Sequence, residues 1–201
     1  MIKIKLCIFP LIFASAITQA ASIEDKIIMC DDCHGVKGVS SDSDIPSIAG
    51  YSETTIISMF DVYLDELRIA RKSKFRHGDT QRPEIDMLSI ANELSEEDIE
   101  ALASYYSEQT FVPAKQEFDA ALAKKGEKLH EDRCTKCHEE GGTSADDDTG
   151  ILAGQWGPYL IQTFKDYRSG DRETEDGMLK KINELSGEQI NSLIHYYASQ
   201  Q

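Results

Sequence analysis

The hydrophobic positions of this chain recur at helical spacing. Ile99, Leu102, Ala103 and Tyr106 share one face of a segment that Ser95 opens, with Asp98 three residues on, the pattern of a capping box ahead of a helix. Ser186 and Gln189 repeat the device, with Ile190, Leu193, Ile194 and Tyr197 behind them. Ile56, Met59, Phe60 and Tyr63 mark another apolar helical face. Phe118, Leu122 and Leu129 predict a helix leading to Cys134, and a shorter one leads to Cys30. No stretch alternates with the period of a half-buried strand. The predicted fold class is all-α.

The pattern occurs twice. Ile48-Ala49-Gly50 is answered by Leu152-Ala153-Gly154 at an offset of 104, and the segment from Met87 to Tyr106 is answered by Met178 to Tyr197. Phe75-Arg76-His77-Gly78-Asp79 reads as the partner of Tyr167-Arg168-Ser169-Gly170-Asp171. The expected organisation is two domains, 21–108 and 118–201, joined by a linker at 109–117 that Pro113 marks. The first 20 residues stand apart. Lys3 and Lys5 precede an apolar run at 6–17, and Thr18-Gln19-Ala20 places small residues before a cut at Ala21. This reads as a cleaved secretory signal, and the run is short for a membrane span.

Cysteine spacing carries the chemistry. Cys7 leaves with the signal, and the other four cysteines form Cys30-Asp31-Asp32-Cys33-His34 and Cys134-Thr135-Lys136-Cys137-His138. Zinc would require the two pairs to cooperate across about 100 residues, and a disulfide framework does not explain the trailing histidines. Cys-x-x-Cys-His is the c-type haem attachment pattern. Two thiols at that spacing bond the two vinyl groups of one haem, and the adjacent histidine sits beneath the iron. Domains of about 90 residues bury little apolar surface alone, and a haem in each supplies a core.

The sixth ligand follows by elimination. Met178 is the one methionine of the second half, and Met87 matches it in the repeat. Met59 falls inside an apolar helical face and reads as packing, while Met29 is locked beside Cys30. His77 is the alternative that would give a bis-histidine haem; His130 and His195 read as surface or packing residues. Each proximal histidine needs an acceptor for its other nitrogen. The Pro46 carbonyl stands in position in the first half, and a backbone carbonyl near Gly150 is expected in the second.

Charge adds one exclusion and one puzzle. After signal cleavage the chain carries 19 Lys+Arg against 36 Asp+Glu, a net charge of −17, which argues against nucleic-acid binding. Asp146 to Asp148 reads as a solvated loop. Tyr51 to Phe75 is 12 residues longer than Gln155 to Tyr167. The simplest reading of that insertion is a helix lengthened by about three turns. Arg68, Arg71, Lys72, Lys74 and Arg76 crowd its end. They either pair with Asp61, Asp65 and Glu66 at helical spacing or dock an acidic partner.

Cys-x-x-Cys-His, a mid-domain Pro-x-x-Ala-Gly and a late methionine before a terminal helix resemble the class I cytochromes c. Two fused copies resemble the periplasmic dihaem cytochromes. A narrower resemblance runs from Glu108 through Leu160. Gln109 to Gln116, Lys128-Leu129-His130, Ile151 to Trp156 and the C-terminal Tyr196 to Gln201 are similar to the cytochrome subunit of flavocytochrome c sulfide dehydrogenase. That resemblance implies two tandem class I cytochrome c domains, each wrapped around a covalent haem. It implies covalent attachment at Cys30, Cys33, Cys134 and Cys137, and iron ligation by His34, Met87, His138 and Met178. It also implies a periplasmic heterodimer in which an FAD subunit oxidises sulfide and passes electrons through this chain to a soluble acceptor cytochrome. The competing reading is a free dihaem shuttle between a respiratory complex and a terminal oxidase. The chain shows no Gly-x-Gly-x-x-Gly and no nucleophile or acid–base pair, so any flavin chemistry would lie on a partner.

Overall fold

The computed structural model describes residues 22–201; the signal read at 1–20 lies outside the described residues. The fold is all-α. Its helices are α1 (Ile23–His34), α2 (Glu53–Leu64), α3 (Met87–Asn92), α4 (Glu96–Ser107), α5 (Ala120–Arg133), α6 (Gly157–Ser169), α7 (Asp176–Glu184) and α8 (Gly187–Ala198). Extended backbone among the described residues pairs only in two isolated bridges. The caps read from sequence are present: Ser95 with Asp98 and Ser186 with Gln189 both close reciprocal capping boxes, as do Ser22 and Asp25.

Each half has its own core. In the first, Ile56, Phe60, Ala91, Ile99, Leu102, Ala103 and Tyr106 pack together, with Met87, Ile48 and Cys30 against them. In the second, Leu160, Leu185, Leu193, Ile194, Tyr196 and Tyr197 form the cluster, with Leu129, Cys134 and Leu152 against it. Helices α5 and α8 cross closely at Gly126, where a Cβ would stand 2.1 Å from the Ser192 carbonyl oxygen. Only glycine fits that crossing. The same offset from the first half lands on Ser22, which sits outside α1 as its cap, so α1 begins where α5 is already crossing its partner.

The halves meet face to face about a pseudo-two-fold axis. The Ser47 N–H donates to Gln155 Oε1 (3.0 Å), and Gln155 Nε2 returns a bond to the Ser47 carbonyl (2.9 Å). The symmetry-related pair is Tyr51, whose hydroxyl donates to the Ile151 carbonyl (3.1 Å). Tyr51 and Gln155 occupy equivalent positions and also touch each other, Gln155 Nε2 donating to the Tyr51 hydroxyl (3.0 Å). Farther along, the Ile69 N–H donates to the Asp171 carbonyl (2.7 Å) and the Glu173 N–H to the Leu67 carbonyl (2.8 Å). These are again mirror contacts at an offset of 104. The linker is packed, not free: the Ala114 N–H donates to the Gly154 carbonyl (2.8 Å), and Gln116 bonds the Gln155 carbonyl and the Gly157 N–H (both 2.8 Å).

The insertion differs from the sequence reading in place and form. Helix α2 ends at Leu64 and is no longer than α6. The register of 104 continues past it. Glu66 (φ 55°) takes the left-handed position that Gly170 (φ 80°) takes in the second half. Arg68 stacks on Tyr63 at 4.9 Å as Arg172 stacks on Tyr167 at 4.7 Å, and the two arginines form one of the isolated bridges. Phe75 to Asp79 is therefore not the partner of Tyr167 to Asp171. The offset falls from 104 to 91 only between Arg68 and Met87, so 13 extra residues lie there, in an irregular loop tied by the Ser73–Ile85 bridge.

That loop spends most of its basic residues inside the molecule, on partners other than Asp61, Asp65 and Glu66. Arg71 makes a two-pronged bond across the seam to Asp166 (2.8 and 2.9 Å), whose side chain is 6% exposed. Arg76 pairs with Asp44 (2.6 Å) and Arg82 with Asp32. The Arg76 and His77 N–H groups donate to the Asp32 carbonyl (2.8 and 2.9 Å), seating the loop on the first Cys-x-x-Cys-His motif.

Two substitutions test this packing. Arg71→Ala leaves the buried Asp166 with only Gln162 as a side-chain donor, and should cost about 1–3 kcal/mol. Gly126→Ala forces α5 from α8 and should cost about 1–3 kcal/mol, confined to the second half. Denaturant titration of the purified protein, followed by circular dichroism, measures both; an unchanged midpoint contradicts the corresponding contact.

Candidate functional site

Each cysteine pair sits on one helical turn at a helix end. Cys30, Cys33 and His34 belong to the last two turns of α1. In the second half α5 ends at Arg133, and Cys134 to His138 continue as tight turns, the His138 N–H donating to the Cys134 carbonyl (3.0 Å). No two of these cysteines are joined in a disulfide. Burial pushes the Cys30 thiol up to about 12, and burial raises Cys33 and Cys134 as well.

The histidines are fixed through Nδ1. His34 Nδ1 lies 2.9 Å from the Pro46 carbonyl oxygen, the contact expected from sequence. A carbonyl only accepts, so the ring proton is on Nδ1 and Nε2 is left with a free lone pair. Desolvation lowers the His34 pKa against the opposing pull of the Pro46 bond. The ring is held neutral, as an iron ligand must be. His138, 8% exposed, is likewise lowered by burial, with the Asp147 charge opposing.

The second histidine departs from expectation. Its Nδ1 partner is the Thr149 hydroxyl at 2.9 Å, not a backbone carbonyl near Gly150. That hydroxyl lies 2.7 Å from Asp147 Oδ1. Nor is the 146–148 loop merely solvated: Asp147 accepts from the Glu139 N–H (2.9 Å), and Asp148 accepts the Ser52 hydroxyl across the seam (2.5 Å). The exchange of Pro46 for Gly150 does not announce this, because either residue offers a backbone carbonyl.

The loops that carry these acceptors are anchored alike. The Gly38 carbonyl accepts from the Ile48 and Ala49 N–H groups (2.8 and 3.1 Å), as the Gly142 carbonyl does from Leu152 and Ala153 (both 2.9 Å). The Gly50 N–H donates to Tyr106 (2.9 Å) and the Gly154 N–H to Tyr197 (2.8 Å), fastening each loop to the terminal helix of its half.

The methionines separate by surroundings. Met87 opens α3, half-buried against the first core. Met178 lies in the first turn of α7, also half-buried. Met59 belongs to the seam, where its sulfur is approached by Arg172 Nη2 at 3.2 Å and Arg68 Nη1 at 3.8 Å. His77 is exposed. His130 is 1% exposed and bonds the Tyr197 hydroxyl (3.0 Å), and His195 Nδ1 accepts from the Asp119 N–H (3.0 Å) at the start of α5. Both are packing residues.

The donor set fits haem c better than a protein metal cage. Among the described residues no three His, Cys, Asp or Glu side chains converge on a point, whereas each motif offers two thiols and one neutral histidine. Arg68 and Arg172 add a matching charge. Neither makes a salt bridge among the described residues, and Arg172 is 8% exposed. Tyr159 feels the charge of both and hydrogen-bonds Arg68. Burial opposes its ionisation, but the two guanidiniums outweigh burial and hold its pKa at about 8. Desolvated cations without a carboxylate suit the propionates that a haem brings.

No family model matches the chain. Cytochrome c4 of Stutzerimonas stutzeri is 30% identical over 197 residues, covering 91% of this chain and 90% of that protein. The crystal structure of reduced recombinant cytochrome c4 from Pseudomonas stutzeri superposes with a TM-score of 0.70 at 26% identity, over 90% of this chain and all of that one. Cytochrome c4 of Acidithiobacillus ferrooxidans gives a TM-score of 0.66 at 25% identity, over 85% and 98%. With its paired Cys-x-x-Cys-His motifs, twofold-repeated helices and near end-to-end likeness, the chain belongs to the cytochrome c4 family.

Proposed function

We propose that this chain is a periplasmic dihaem c-type cytochrome that passes single electrons between redox partners. One haem is bonded to Cys30 and Cys33, with His34 and Met87 on its iron, in a domain spanning 21–108. The other is bonded to Cys134 and Cys137, with His138 and Met178 on its iron, in a domain spanning 118–201 beyond the 109–117 linker. The observation that carries this reading is the fixing of both histidines through Nδ1, which leaves each Nε2 free for iron. Bound haem supplies a one-electron Fe(III)/Fe(II) couple. The chain would supply the orientation and neutrality of the imidazole, a thioether ligand, which raises the potential, and two arginines, Arg68 and Arg172, that form no salt bridge among the described residues.

In the narrower form of the reading, the donor is an FAD-containing sulfide dehydrogenase subunit and the acceptor a soluble cytochrome. Its support is the similarity of 109–116, 151–156 and 196–201 to a flavocytochrome c subunit. Several of those residues also pack this chain on itself: Gln116 bonds Gln155 and Gln201, and Gln155 bonds Ser47 and Tyr51.

Two measurements test these levels separately. Met87→Ala should convert one of two low-spin His/Met haems and leave the other intact in the absorption spectrum, while Met59→Ala should leave both. The reverse result overturns the ligand assignment. Affinity capture of the tagged holoprotein from its own periplasm should retain a protein with flavin absorbance. Capture of the dihaem chain alone, under conditions that preserve known redox complexes, removes the flavoprotein partner and leaves the electron carrier.

A further inference from the structure

The two histidines are held by acceptors of different chemistry. His34 donates to a neutral backbone carbonyl, Pro46 O at 2.9 Å. His138 donates to the Thr149 hydroxyl at 2.9 Å, and Asp147 Oδ1 lies 2.7 Å from that hydroxyl. A hydroxyl has one proton to give. The Cys137 carbonyl stands at 3.3 Å, so the proton goes to the nearer, charged acceptor. The oxygen lone pairs then face the imidazole. Asp147 is itself pinned: the Thr149 N–H donates to Oδ1 (3.0 Å) and the Glu139 N–H to Oδ2 (2.9 Å). The result is a chain from ring N–H through hydroxyl to carboxylate. Positions 147, 149 and 150 correspond to Ser43, Ile45 and Pro46, so the first half has neither the hydroxyl nor the carboxylate.

We propose that Asp147, acting through Thr149, is a positioning residue that lowers the reduction potential of the second haem. The proposal rests on the reading above, in which His138 binds that haem's iron. A hydrogen bond backed by a carboxylate is stronger than one to a neutral amide. It gives the imidazole more anionic character and so makes it a more basic ligand. Ferric iron carries one more positive charge than ferrous and gains more from such a ligand, so the one-electron reduction of Fe(III) to Fe(II) becomes less favourable. No bond forms or breaks and no proton leaves the relay; one electron arrives from the donor.

The test is a spectroelectrochemical titration of the holoprotein carrying both haems, with the haems distinguished by paramagnetic NMR of their axial ligands. Asp147→Asn removes the charge, Thr149→Val removes the relay, and Thr149→Ser retains it. Asp146→Asn is the matched control, an exposed neighbour that changes net charge equally. Asp147→Asn and Thr149→Val should each favour reduction of the second haem about tenfold, a rise of about 59 mV for one electron, with the first haem unmoved. Thr149→Ser and Asp146→Asn should titrate as wild type. If Asp147→Asn moves neither haem more than Asp146→Asn does, or moves both equally, the relay has no such role. His138→Ala separates the two levels. Loss of low-spin ligation at one haem upholds the ligand reading whatever the relay variants do, and retention of a wild-type spectrum overturns that reading and the relay with it.

Discussion

The structure depends on holding an imidazole so that one nitrogen faces a fixed direction. In each half that requirement propagates outward through a short series of bonds. The histidine lies at the end of a cysteine-bearing helix or turn. Its Nδ1 is held by a loop, and the loop is folded around a single carbonyl, Gly38 or Gly142. A glycine farther along, Gly50 or Gly154, ties that loop to the last residues of the terminal helix. A shift of the terminal helix is therefore felt at the ring. This explains why caps, which contribute about 1 kcal/mol each, sit on both terminal helices as complete capping boxes.

Most of this framework is legible in the sequence because it is local or repeated. Capping boxes are four-residue patterns, the helical faces are periodic, and Cys-x-x-Cys-His carries its own chemistry. The Pro46 acceptor is legible because the loop is short. What sequence misplaces is long-range or conformational. Phe75-Arg76-His77-Gly78-Asp79 imitates Tyr167-Arg168-Ser169-Gly170-Asp171 in letters, yet the true match to Gly170 is Glu66, which shares its backbone conformation and nothing of its chemistry. Arg71 has acids nearby in sequence but bonds Asp166, 95 positions away. Thr149 stayed hidden because a backbone carbonyl is available from any residue, and nothing in the sequence says when a side chain will replace it.

The basic insertion shows how the same charges serve a different end once folded. A run of arginines on a strongly acidic chain suggests a docking arm. In the fold, Arg71, Arg76 and Arg82 are spent on acids of the chain itself, and the loop links the first cysteine motif to the second half. Its remaining exposed cations, Lys72 and Lys74, lie on a surface whose other arginines are already engaged.

The seam between the halves is isologous in form: equivalent positions meet one another across an axis, as in a two-fold dimer. Such a patch is what a single domain presents to a second copy of itself. The 109–117 segment makes that encounter intramolecular, replacing dependence on protein concentration with an effective concentration in the millimolar range. The two copies of the patch are not identical: Tyr51 faces Gln155, and Ser47 faces the same glutamine while its counterpart Ile151 receives a tyrosine hydroxyl. Two copies of the first half would set tyrosine against tyrosine at the axis, and two copies of the second would set glutamine against glutamine. The two sides of the axis therefore carry complementary rather than identical groups, the kind of arrangement by which an interface distinguishes unlike from like partners.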